Sequence, residues 1–280
     1  MDNNWVVDNL QNAFTTWNTK MEEMWGLLTQ SPETFKGGTI WSTIVTINGG
    51  MQAIGYGLLV LFFAISLFRS AASFRDFQRP EYVVRHLIQF VLAKVAITYG
   101  MDLLTKIFAV CNGIVATAAG SIGGADGASI TMPTEIIDAI NSLGFLESIP
   151  LWAVTLLGSL FIWVLSLVMI LTVYSRFFKL YMASAIAPIP LASFAGQPSS
   201  SIGVAFIKSY AAICLEGCMI VLACIIFSQF AAAPPAIADD TMAAATIVWN
   251  YIGELIFNML VLVGAIKMSD RLVRELMGLG

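Results

Sequence analysis

The chain has 280 residues, of which 58% are hydrophobic and 11% charged, with a net charge of −4 and a mean hydropathy of +0.81. That balance excludes a water-soluble globular domain, which could not bury so much apolar surface, and the negative charge gives no support to a general nucleic-acid-binding surface. Three uncharged stretches, Gly37 to Phe68, Ser148 to Ser175 and Gly217 to Ala238, each exceed the roughly 20 residues needed to cross a hydrocarbon core about 30 Å thick.

In chain order, residues 1–36 are polar enough to lie outside the bilayer. They carry no Lys or Arg before Lys20, so no cleavable signal peptide is expected and the spans themselves must direct insertion. Val7, Leu10, Phe14, Trp17, Met21, Met24 and Leu28 recur at alternating spacings of three and four. That is a heptad stripe on one helix, suited to a seam between copies of the chain. Residues 1–36 are therefore predicted as an extracytoplasmic amphipathic helix, with residues 37–280 forming the membrane domain. The first span runs over about 41–68 and opens on the interfacial Trp41.

The next loop holds Arg69, Arg75, Arg79 and Arg85 against Asp76 and Glu81, the most basic segment of the protein. A second span lies within 82–119, a stretch too long for one perpendicular crossing at 1.5 Å per residue. The loop that follows contains Asp126, Glu135, Asp138 and Glu147 and no basic residue. A third span covers 150–174 and ends against Arg176 and Lys179. Pro188, Pro190 and Pro198 then break an apolar run, so 178–201 is predicted as a re-entrant or interfacial element. Spans over 203–231 and 243–266 complete an all-α, polytopic membrane helix bundle of about five transmembrane helices. Lys and Arg in short loops favour the cytoplasm, which predicts the N-terminus outside and the C-terminus inside.

No paired-histidine metal site is available, because His86 is the sole histidine. No phosphate-binding loop or nucleophile motif occurs either, so the chain is expected to be no enzyme and to need no cofactor. The four cysteines lie in apolar helical sequence and read as packing residues. Lys94, Asp102, Glu216 and Glu254 fall in apolar segments, where a charge is costly unless it is paired or faces water. Lys94 is expected to pair with Glu216 or Glu254; otherwise these groups line a pathway. Arg69, Arg75, Arg79, Arg176 and Lys179 form a cytosolic basic set that can contact anionic headgroups, with bound phospholipid, or a partner.

The layout, together with Arg176-Phe177-Phe178-Lys179-Leu180-Tyr181 running into Ala185-Ile186-Ala187-Pro188-Ile189-Pro190, resembles the TrbL-type family of polytopic inner-membrane subunits of type IV secretion and conjugative transfer machines. The resemblance implies a homo-oligomeric, five-fold ring in the bacterial cytoplasmic membrane. It would form part of a channel for single-stranded DNA or protein in transit, working with a secretion ATPase and other membrane subunits of the transfer machine. The proline-rich element would then either dock the ATPase or pack beneath the bundle. A homo-oligomeric ion channel or small-solute transporter is the alternative; no inverted repeat of the kind such transporters show is visible.

Overall fold

The computed structural model describes residues 5–72, 80–120, 130–197, 199–231 and 244–279. Among these residues all regular structure is helical. In chain order the helices are α1 (Trp5–Thr29), α2 (Thr39–Ala72), α3 (Pro80–Thr98), α4 (Gly100–Gly120), α5 (Thr134–Asn141), α6 (Phe145–Ile186), α7 (Pro188–Ala192), α8 (Ser200–Ala231) and α9 (Ala244–Leu276). Short 3-10 turns occupy Phe35–Gly38 and Ser193–Ala195. Five segments are long and apolar enough to cross a membrane: Phe35–Ser70, Gly100–Ala118, Ile149–Ile186, Ser200–Ser228 and Ala245–Leu276. This agrees with the all-α polytopic bundle read from the sequence.

The long stretch over 82–119 resolves into two helices that meet at Tyr99–Gly100. Only α4 qualifies as a candidate span. Helix α6 does not stop at Tyr174 but continues to Ile186, because no proline between Tyr174 and Pro188 removes an amide donor. There the ladder breaks although Ala187 keeps right-handed helical dihedrals (φ −49°, ψ −39°), as expected where a proline lacks its N–H.

The chain divides into two compact units, and α4, α6, α8 and α9 each contribute to both. One unit comprises residues 1–29, 115–174 and 218–269. Within it α1 lies along α6. The Trp5 and Trp152 rings stack with centroids 5.4 Å apart, and at the other end Tyr174 Oη donates to Glu23 Oε1 at 3.5 Å. Asn18 clamps the segment before α5, its amide giving and taking a hydrogen bond at Ile130, each 2.9 Å, and Ile136 and Ile140 of α5 are buried.

The other unit comprises residues 30–114, 175–217 and 270–280. Here α2 and α3 form an antiparallel pair joined by Ser70–His86 (2.7 Å), the Phe63–Phe90 rings and Tyr56–Thr98 (2.9 Å). The proline-rich segment runs along α2 in the same direction. Asn48 donates to Ser184 O at 2.7 Å, a Cβ on Gly55 would meet Pro188 O at 2.9 Å, and one on Gly196 would meet Phe62 O at 2.8 Å. Gly55 thus permits a close backbone approach that any side chain would block. Ala187, Leu191, Ala192 and Ala195 are fully enclosed in a core with Leu59, Ala93, Ile97, Leu104 and Tyr210. Of the two roles weighed for this element, packing within the helices is the one that burial supports, since these four side chains offer nothing to a docking partner.

Candidate functional site

Polar groups inside an apolar helical protein must find one another or find water. In the unit built from 30–114, 175–217 and 270–280 they converge on the C-terminal third of α6. Lys179 Nζ lies 3.2 Å from Glu216 Oε2 on α8 and 3.1 Å from Asp270 Oδ1 on α9. Asp270 in turn accepts from Arg274 Nε at 3.2 Å, one helical turn on. Glu216 is 1% exposed, so its ion pair with Lys179 is what allows a carboxylate to remain there.

One turn back on α6, Arg176 is wholly buried. Its Nη2 donates to Cys214 O at 3.4 Å, and its guanidinium carbon sits 5.6 Å from the centroid of the Phe108 ring on α4, a cation–π distance. Its Nε and Nη1 have no hydrogen-bond partner among the described residues. Room for the guanidinium exists only because residue 217 is glycine, since a Cβ there would fall 2.6 Å from Arg176 Cζ. Of the cysteines, Cys111, Cys214 and Cys224 are buried thiols.

The segment around Tyr181 ties the start of α2 to the end of α6. Tyr181 Oη donates to Pro32 O at 2.9 Å. Phe35 stacks on Phe177 at 4.2 Å between centroids, and Trp41 lies 6.3 Å from Tyr181.

Several expectations change. Glu216 pairs with Lys179, not with Lys94, because α6 and α8 are packed together whereas Lys94 lies on an exposed face of α3. Arg176 is a buried interhelical residue and cannot meet a headgroup or a cytosolic partner, and Lys179 is held in ion pairs. Arg69 remains exposed at the far end of α2, about 42 Å along the helix from Trp41 at 1.5 Å per residue. Arg75 and Arg79 lie outside the described residues. Asp102 and Glu254 are exposed and carry no ion pair among the described residues. The stripe of Val7, Leu10, Phe14, Trp17, Met21, Met24 and Leu28 is buried within the chain itself. It is therefore not an open seam: neighbouring helices of the same molecule already cover it. Asp270 and Gly217 were not singled out from sequence. Asp270 stands among Lys267, Arg271 and Arg274, beyond the last predicted span, and a glycine whose role is to admit an arginine from another helix leaves no local signal.

Residues 17–188, well over half of the chain, match the family described as TrbL/VirB6 plasmid conjugal transfer like protein. The chain belongs to the TrbL/VirB6 family. No curated protein and no solved structure matches. Family membership makes it a multi-pass membrane component of a conjugal transfer or type IV secretion system, associated with other subunits of that machinery. Members of the TrbL/VirB6 family are structural subunits of such systems. The matched region includes Arg176 and Lys179 but ends before Glu216 and Asp270, so the acidic partners of the network lie beyond it.

Proposed function

We propose that the protein assembles as a homo-oligomeric ring, five-fold as the family resemblance implies, and forms part of the conduit through which the transfer machine passes single-stranded DNA or protein. The motor is a separate ATPase. The observation that carries this reading is Glu254: it lies within the candidate span Ala245–Leu276, exposed and without an ion pair. A carboxylate there facing lipid would cost several kcal/mol, whereas one facing a water-filled lumen would not. Asp102, exposed on α4, supports the same reading.

The test is the mating frequency of cells whose only copy is Glu254→Lys or Glu254→Gln. A fall with unchanged membrane level and oligomer bands supports a lumenal carboxylate, and wild-type transfer from both variants removes it. Solute uptake by the purified protein alone would favour a transporter instead.

For orientation in the cytoplasmic membrane, we assign the Arg69–Arg85 loop and the C-terminal tail to the cytosol and the N-terminus to the outside, on the charge bias of short loops. An impermeant thiol reagent on intact cells should then label Trp5→Cys and leave Arg271→Cys unmodified. Thr34 is the informative position. Its neighbour Pro32 is hydrogen-bonded by Tyr181, two residues from Lys179, and Lys179 is paired to Asp270. Thr34→Cys is therefore expected to behave like Arg271→Cys, which puts both ends of Phe35–Ser70 on the cytosolic side and makes α1, not α2, the first crossing; labelling like that of Trp5→Cys would keep α2 as the crossing.

A further inference from the structure

Helix α1 was expected to stand clear of the membrane, yet within its unit it runs along the most apolar part of α6. The stack of Trp5 on Trp152 and the hydrogen bond between Tyr174 and Glu23 fix its two ends. Between them lie residues 152–174 of α6, the N-terminal part of the candidate span Ile149–Ile186. The outward face of α6 there is made of Leu156, Leu157, Leu160, Phe161, Leu167 and Leu171, all exposed, as a surface against lipid must be.

The outward face of α1 is of the opposite kind. Its apolar residues are all turned inward except Trp5. Gln11, Asn12, Thr15, Thr19 and Glu22 are exposed and form one strip by their spacing of three and four. The threonine hydroxyls satisfy themselves on the backbone one turn earlier, Thr15 to Gln11 O and Thr19 to Thr15 O, each at 2.8 Å. The amides of Gln11 and Asn12 and the carboxylate of Glu22 have no such recourse and require water or a polar surface.

We propose that this polar strip of α1 faces the aqueous lumen of the conduit at membrane depth, so that α1 is a lining helix and not an extracytoplasmic appendage. The proposal rests on the conduit reading and names the surface that a hydrated polymer would pass. Amides and hydroxyls with one carboxylate and no basic group neither grip nor strongly repel a polyanion. The same unit also carries the exposed Glu254 on α9.

Single cysteines at Gln11, Thr15, Thr19 and Glu22, at Leu157, Leu160 and Phe161, and at Glu254 test this in cells carrying the complete transfer machine. Each is introduced alone into the wild-type chain, and the response of that chain's own cysteines, Cys218 being only partly buried, is measured first and subtracted. The probe is a permanently charged methanethiosulfonate, which reacts with the ionised thiol and so favours a wet site over a lipid-facing one. The α1 cysteines are expected to react, the α6 cysteines to stay unmodified, and reaction on α1 to lower mating frequency. Equal silence of both helices overturns the proposal, as does equal reactivity of both, which would place the whole unit in water. Reaction on α1 without loss of mating overturns it too, since the strip would then face water outside the conduit. If modification blocks mating at Glu254→Cys but not on α1, the conduit reading survives and the lining role of α1 falls. If neither position blocks, both fall. Four separate α1 positions keep the result independent of any one variant that fails to fold.

Discussion

Glu216 and Glu254 both sit inside long apolar helices, and the fold treats them in opposite ways. Glu216 is enclosed between α6 and α8, with Lys179 3.2 Å away and Asp270 sharing the same ammonium. Glu254 is exposed on α9 with no ion pair. A carboxylate surrounded by its own chain stabilises the packing of that chain, and removing its partner strands a charge in a poorly polarisable place. A carboxylate on the outer face does nothing for the packing, so something outside the single chain must accommodate it. The first belongs to folding and the second to assembly or passage.

The largest effect should come from breaking the enclosed pair. Lys179→Met leaves Glu216 unpaired, and the expected loss is about 3–5 kcal/mol, read as a lower apparent Tm of the detergent-purified protein. Adding Glu216→Gln should restore most of it. If the double variant melts no higher than the single, the pair is not what holds the helices there.

A smaller loss is expected where the arginine beside that pair is crowded. Gly217→Ala forces the Arg176 guanidinium to move and should cost about 1–3 kcal/mol, the usual range for overpacking. The same substitution in an Arg176→Met background should cost clearly less, because the unbranched thioether can yield. Equal losses in both backgrounds would mean that Gly217 matters for the helix alone.

Glu254→Gln should shift stability least, within about 0.5 kcal/mol as for other exposed positions, while lowering transfer. That inversion separates the two glutamates most sharply. A large drop in Tm for Glu254→Gln would erase the distinction and make it a second structural carboxylate.

Five segments long and apolar enough to cross a membrane, the helical class and the kinship with the TrbL/VirB6 family were legible in the sequence, because hydrophobic length and the order of polar breaks are written locally along the chain. The heptad stripe of α1 was legible too, but its partner was not. A stripe from Val7 to Leu28 looks the same whether a second copy covers it or helices of the same chain do. The proline-rich segment shows the same division. Pro188 and Pro190 announce a broken ladder, and only Gly55 and Gly196, contributed on either side of the contact with α2, reveal that the break is packed into a core.

What the sequence determined by itself was which segments are apolar and which family the chain joins, since each depends on residues near one another along the chain. The tertiary structure alone decided that Lys179 meets Glu216 and Asp270 instead of Lys94 meeting either glutamate. It alone enclosed Arg176, laid α1 along α6 and left Glu254 facing outward. Charge pairing and burial depend on which helix faces turn toward each other, and that is set by steric fit between helices, as where Gly217 of α8 admits the Arg176 guanidinium of α6 and Gly55 of α2 admits the backbone at Pro188.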